Sequence, residues 1–314
     1  MQENADQIPV ATGIPQAPSR RVESLAVLRS AATSRRGFIG LALAAVVIAV
    51  AAIGPFVAPH SPTEFVTIPF SSPSIAYPLG GDILGRDVLS RTLEGGWLLL
   101  AAAAAATAIG VTLGAASGVT AAYFRGWRDG VIMRTVDVLL AFPQLVFALL
   151  LVSVVGPKLW LVVLAVAFTH APQVARVMRS AALDVSEKDY VKAMELIRIP
   201  PMRIIFGDML PNLVTPLMVE IGLRLTYSIV IIAGLSFIGF GLQPPDPNWG
   251  LMLNENRIGL VPNPWAVVAP AVLIALLTVG TNTFTDAIAR VAIGVDRPAS
   301  EEKLLEGVPI EVQP

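Results

Sequence analysis

The chain has no cysteine and only two histidines, His60 and His170, far apart in sequence. Disulfides, thiolate metal sites and cysteine nucleophiles are therefore excluded, and a histidine-based metal centre within one chain is not expected. Charge is also scarce, at 14% of residues against about 25% in ordinary soluble domains. No basic run is interleaved with aromatics, so no nucleic-acid partner is expected. A Gly-x4-Gly-Lys-Ser/Thr phosphate loop is missing, which rules out that way of holding ATP. Neither a Gly-x-Ser-x-Gly elbow nor a His-Glu-x-x-His helix occurs, and lone His170 supplies no intramembrane hydrolase constellation.

What fills the chain is apolar. Hydrophobic residues make up 54% of the 314 and mean hydropathy is +0.69. The pattern predicts an all-α membrane protein with six spans of the ~20 residues a bilayer needs. These are Gly37–Val57, Gly95–Tyr123, Val131–Val155 (interrupted by Pro143), Leu159–Ala175, Leu213–Gly241 and Trp265–Ile293. Residues 1–36 read as a largely disordered tail, with Ser24–Ser30 a short helix on the membrane. Residues 58–94 read as a connection with an interfacial amphipathic helix, its Ile83, Leu84, Val88 and Leu89 toward lipid. Residues 95–293 form a five-helix core interrupted by a polar loop over 176–212, and 294–314 an acidic tail. Ser34-Arg35-Arg36-Gly37-Phe38-Ile39 also looks like a twin-arginine export signal, with Ala49-Val50-Ala51 as a cleavage site. Five further spans favour a first helix that is retained.

With the amino terminus inside, 17 of the 22 Lys and Arg residues fall in inner segments. Four (Arg86, Arg91, Lys158 and Arg257) fall outside, and Arg224 lies within a span. The bias predicts a multi-pass protein of the plasma membrane, with both termini and the loop 176–212 in the cytoplasm. The spacing Gly110-x3-Gly114-x3-Gly118 puts three glycines on one face of the second span, which favours close helix packing. Glu220 and Arg224, four residues apart, share a face and can neutralise each other. Asp137, Glu220 and Asp286 sit near the inner span ends rather than mid-membrane, where a proton- or sodium-coupled carrier would want them.

The polar loop contains YVKAMELIRIPPMRIIFGDMLPN, Tyr190–Asn212. Tyr190–Arg198 reads as a short helix stopped by Pro200 and Pro201, and Met202–Leu210 as a second segment ending at Pro211. The arrangement resembles the coupling loop of ABC importer permeases, whose pattern is Glu-Ala-Ala, a Gly four residues on, then Ile-x-Leu-Pro. Ala193, Leu210 and Pro211 match it. Lys192 replaces the Glu, Met194 the second Ala and Arg198 the Gly. LGGDILGRDVLSR (Leu79–Arg91), RTVDVLLAFPQLVFALLLV (Arg134–Val152) and GLSFIGFGLQPPDPNWGLML (Gly234–Leu253) are similar to the C-type subunit of dipeptide/oligopeptide permeases.

That resemblance implies a type I ABC importer permease fold and a non-catalytic subunit with no cofactor of its own. A homologous B-type permease subunit would complete the pore. ABC ATPase subunits in the cytoplasm would bind ATP and Mg, and an extracytoplasmic binding protein would deliver peptide. The ATPase-coupling residues would be Tyr190, Lys192, Ala193, Met194, Leu196, Ile197, Arg198 and Pro211. Met194, Leu196 and Ile197 would be apolar anchors, and Lys192 and Arg198 would meet acidic groups. Pore-facing candidates are Ser228, Ser236, Thr278, Thr281 and Asn282. The same architecture with another cargo (nickel chelate, glutathione, haem, oligosaccharide) and a secondary carrier are the alternatives.

Overall fold

The computed structural model of the chain describes residues 20–241 and 243–294. The start of the expected amino-terminal tail, and the acidic tail from Asp296 with its Arg297 and Lys303, lie outside the described residues. All regular structure among those described is helical. Among the described residues five helices are long and apolar enough to cross a membrane: α2 (Arg35–Val57), α4 (Trp97–Phe124), α7 (Leu159–Ser186), α10 (Val214–Ile238) and α12 (Trp265–Ala292). A sixth crossing exists if α5 (Gly126–Leu140) and α6 (Gln144–Val155) count as one span. They meet at 83° across Ala141–Pro143. Pro143 cannot donate a backbone hydrogen bond, so the expected interruption is a break. The short helices are α1 (Arg20–Thr33), α3 (Val88–Glu94), α8 (Asp189–Leu196), α9 (Pro201–Ile204) and α11 (Trp249–Asn256).

Apart from the broken third span, the boundaries follow the apolar runs closely, with one exception. The fourth helix does not stop at Ala175 but continues to Ser186. At 1.5 Å per residue its 28 residues reach about 42 Å, well beyond a hydrocarbon core of about 30 Å. Its polar end is thus a rigid stalk carrying α8. The Ser24–Ser30 segment is helical, as expected, within the longer α1. Ser34 then caps α2, its Oγ accepting from the Gly37 N–H at 3.1 Å.

Small residues set how closely the helices approach. A Cβ on Gly110, Gly114 or Gly118 would lie 2.8, 2.5 and 2.3 Å from the carbonyl oxygens of Ala167, Ala171 and Ala175 on α7. The expected packing face of α4 is therefore used along its length. Gly40 of α2 and Gly280 of α12 meet in the same way, each close to the other's carbonyl oxygen. The first helix is thereby built into the bundle. One buried core joins Val47, Leu99, Val162, Ile232, Trp249 and Leu277 from α2, α4, α7, α10, α11 and α12. A second joins α4 and α7 to α8 and the turns after it. Many large apolar side chains remain exposed around the outside, among them Phe38, Phe56, Leu150, Val154, Phe168 and Val279, as a lipid-facing surface requires.

Candidate functional site

The elbow at the foot of α7 is the feature the whole bundle supports. α8 is amphipathic. Val191 is completely buried, while Lys192, Ala193, Glu195, Leu196, Ile197 and Arg198 are exposed. Its inner side enters the second core, where Val191, Ile204, Met209 and Leu213 pack with Val119, Val174 and Met178 of α4 and α7. Tyr190 is half-buried there, and its hydroxyl accepts from Asn212 Nδ2 at 3.0 Å, closing the elbow across its base.

Two expectations about this segment need correction. The prolines do not stop α8. It ends at Leu196 because Arg198 takes a left-handed conformation, φ 57°. The Arg198 N–H donates to Glu195 O and the Ile199 N–H to Met194 O, both at 3.0 Å, a Schellman motif. Ile199 and Met194 are both partly buried against the same core, giving the apolar contact that accompanies it. α10 ends in the same way, but with Gly239 at φ 93° in the equivalent place. Pro200 and Pro201 instead begin α9, where a missing N–H costs nothing. Secondly, Met194 turns inward and is half-buried by its own chain, so it is not an outward anchor. The outward apolar residues are Leu196, 83% exposed, and Ile197, 73% exposed.

A non-glycine residue in the left-handed region costs roughly 1–2 kcal/mol, and glycine's extra unfolded-state freedom offsets part of any relief. Arg198→Gly should therefore raise stability by about 0.5–1 kcal/mol. A higher thermal unfolding midpoint of the solubilised protein would show this; a lower one would mean that the arginine side chain contributes more than its backbone costs.

Above the elbow lies an apolar groove of about 990 Å³. One wall is α4, through Ala104, Ala108, Thr112, Ala116 and Thr120. The other is α10, through Leu217, Ile221 and Leu225, and Met202 and Phe206 close the elbow end. The elbow and the groove thus share residues. The predicted pore residues lie elsewhere. Ser228 and Ser236 are completely buried and line no opening of this chain. Ser228 Oγ is 3.0 Å from both Thr107 Oγ1 and His170 Nε2, so it joins α4, α7 and α10. His170 is fully buried with it. This Ser–His contact has no exposed surface at which a substrate could arrive, and it reads as a helix-binding bond. Thr281 is half-buried and accepts from Thr226 Oγ1 at 3.1 Å, Thr278 is half-buried with its hydroxyl on Ile274 O, and Asn282 is exposed. Glu220 and Arg224 pair as expected, at 3.0 Å, and Gln173 of α7 also accepts from Arg224.

At the opposite end the connection is not an interfacial helix facing lipid. Val88 is completely buried, α3 begins only there, and Asp82, Arg86, Asp87 and Arg91 are buried with it. Asp82 Oδ2 accepts from Arg86 Nε at 2.6 Å and Arg91 Nη1 at 3.1 Å. Glu255 of α11 accepts from both arginines, at 3.0 and 2.8 Å. Burial raises the Glu255 carboxyl above its ordinary value, and Arg86 opposes this. Asp87 caps α3, accepting from the Leu89 and Ser90 N–H groups. Trp249, fully buried, donates to Thr92 O at 2.7 Å and lies over Gly95 and Gly96, where a Cβ would meet its ring. The Leu79–Arg91 and Asn248–Glu255 stretches are therefore two halves of one clasp. The helical reading missed it because alternating charge and apolar residues look amphipathic in sequence. The signal that could have found it was four charged residues of balanced sign within Asp82–Arg91.

Comparisons agree with this architecture. Residues 110–292 match the family described as binding-protein-dependent transport system inner membrane component. The glutathione transport system permease protein GsiD of Pectobacterium atrosepticum is 38% identical over 216 residues, which are 69% of this chain and 72% of that protein. The protein of the same name from Escherichia coli O6:K15:H31 is 37% identical over 218 residues, with the same coverage. Among solved structures, an inward-facing MetNI methionine ABC transporter superposes with a TM-score of 0.50 at 17% identity, over 63% of this chain and 96% of that one. That likeness bears on the fold. With a family match over more than half its length, and relatives at this identity, the chain belongs to the inner-membrane permease components of binding-protein-dependent transport systems.

Proposed function

We propose that this permease forms half of the translocation path of an ATP-driven importer of short peptides, and that α8 is where the ATPase grips it. The observation that carries the reading is the two-sided elbow. Leu196 and Ile197 stand out at one end of the bundle, while the inner side of the same helix is rooted in α4 and α7. A push on the tip is delivered to the wall of the groove, and packed interiors pass on such displacements rather than absorb them. Lys192 and Arg198 flank the tip and suit an acidic rim on the ATPase. ATP and Mg belong to that partner. A second, homologous permease would close the groove between α4 and α10, and the clasp end would receive an extracytoplasmic binding protein. The predominance of Lys and Arg at the α8 end supports a cytoplasmic position for it.

Glutathione is the cargo that the similarity to the GsiD proteins favours within the peptide class. Competition of unlabelled glutathione against a labelled dipeptide in uptake distinguishes the two.

The coupling reading is tested by Leu196→Asp together with Ile197→Asp in the assembled importer. Both side chains are exposed, so folding should be unaffected. Burying two carboxylates in an apolar contact should weaken the grip by at least ~2 kcal/mol, or about thirtyfold. ATP-dependent uptake should fall accordingly, with the ATPases either lost or hydrolysing without transport. Uptake at the parental rate would sink the assignment.

A further inference from the structure

We propose that α5 is an anionic-lipid contact, an interfacial helix that seats phospholipid headgroups of the leaflet at the α8 end. Three observations converge on it. The first is direction. α6 packs on α7, its Ala148 and Val152 sharing one buried core with Leu161 and Val162, and the 83° turn at Ala141–Pro143 carries α5 away from the direction of α6. The ion pairs agree. Asp129 and Asp137, about 12 Å apart along α5, bind Arg179 and Arg176, only about 4.5 Å apart along α7.

The second observation is the sorting of charge. Both acids of α5 are paired with arginines of α7, Asp129 in a largely covered pair at 2.6 Å and Asp137 in an exposed one at 2.5 Å. Arg128 and Arg134 are exposed and, among the described residues, have no carboxylate within ion-pair distance. The charge that α5 leaves without a counter-ion is therefore positive. The third is the company those arginines keep. Trp127, Val131 and Val138 are 74%, 57% and 58% exposed on the same helix. The Arg128 guanidinium lies 4.7 Å from the Phe124 ring centroid and 5.8 Å from that of Trp127. Tryptophan beside arginine, on a helix turned away from the direction of α6, matches the chemistry of the headgroup layer. The ring and the valines enter the acyl boundary while the cations meet phosphate. An acidic protein surface would satisfy the arginines but would leave three apolar side chains without a use.

The occupant is thus a phospholipid of net negative charge. The choice of leaflet rests on the sidedness proposed above, but the contact itself does not. The test uses the assembled importer in nanodiscs of phosphatidylcholine, with and without phosphatidylglycerol. Retained phosphatidylglycerol is counted by native mass spectrometry after transfer to detergent. The parent should retain it. Arg128→Gln and Arg134→Gln should each lower retention about fivefold, as expected for one cation at an anionic surface. Arg128→Lys with Arg134→Lys should restore it. Retention unchanged in the double glutamine variant overturns the proposal. So does a double variant that loses its ATPase subunits while keeping phosphatidylglycerol, because α5 would then be a protein contact.

Discussion

Gly118→Ala should separate α4 from α7 and leave little folded permease. One methyl group added at this position lies 2.3 Å from Ala175 O and 3.0 Å from Arg179 N, both backbone atoms on a packed helix. A flexible side chain could move aside; backbone cannot, so a helix must shift. Overpacking a well-filled interior typically costs ~1–3 kcal/mol. Here the overlap is with main chain on both counts, so the upper end or more is expected. The shift would also displace Arg179, which holds Asp129 of α5. The control is Gly130→Ala. Gly130 lies in helix α5 with nothing within 4 Å of its added Cβ, and its backbone is not left-handed. Alanine there should be neutral or stabilising by up to ~1 kcal/mol, through propensity alone. Size-exclusion profiles and thermal midpoints of the two variants measure the contrast. Equal behaviour would show that the α4–α7 approach is not as close as described.

Arg91→Met should open the clasp at the opposite end. Arg91 is completely buried and donates to both Asp82 and Glu255. Methionine fills much of the same volume but leaves two carboxylates sharing Arg86 alone. Removing one partner of a buried ionic group costs about 3–5 kcal/mol, because the charge left behind has lost its solvent and its counter-ion together. The connection 58–94 and α11 should then come apart as a unit, exposing Trp249. Rising Trp249 accessibility to quencher, with a fall in thermal midpoint, is the expected signature. Glu255→Gln should be milder. Burial already disfavours the charged form of Glu255, and the amide can still accept from one arginine. If Arg91→Met melts with the parent, the ionic cluster does not hold this end together.

Much of this was readable from the chain. Gly110, Gly114 and Gly118 announced a packing face because residues four apart share one side of a helix. Glu220 and Arg224 announced a pair for the same reason. The span limits were legible because backbone must be satisfied within lipid, and that condition acts on every residue of an apolar run. The family resemblance was legible in the Leu79–Arg91 and Gly234–Leu253 stretches, though the clasp that joins Asp82–Thr92 to Trp249 and Glu255 was not. Their partnership spans well over a hundred residues, and no local periodicity reports it. The candidate site was partly legible. The elbow was found, but Met194 was assigned to the wrong side of α8, and the buried Ser228 was placed in a pore.

The amino-acid order by itself determined what is local: five apolar crossings and a sixth apolar run broken at Pro143, a polar elbow between the helices that end at Ser186 and begin at Val214, the excess of cations on one side and the small-residue faces. Each of these follows from a spacing of one to a few residues acting on helix geometry or on transfer into lipid. Only the tertiary structure decided which face of α8 is rooted and which is offered, that Arg198 holds the left-handed end of that helix, that α5 turns 83° out of its span, and that four charges from two distant segments neutralise one another in the interior. Those outcomes depend on what stands opposite each side chain after the helices meet, and desolvation, which sets their energy, is a property of the assembled surroundings rather than of the residue.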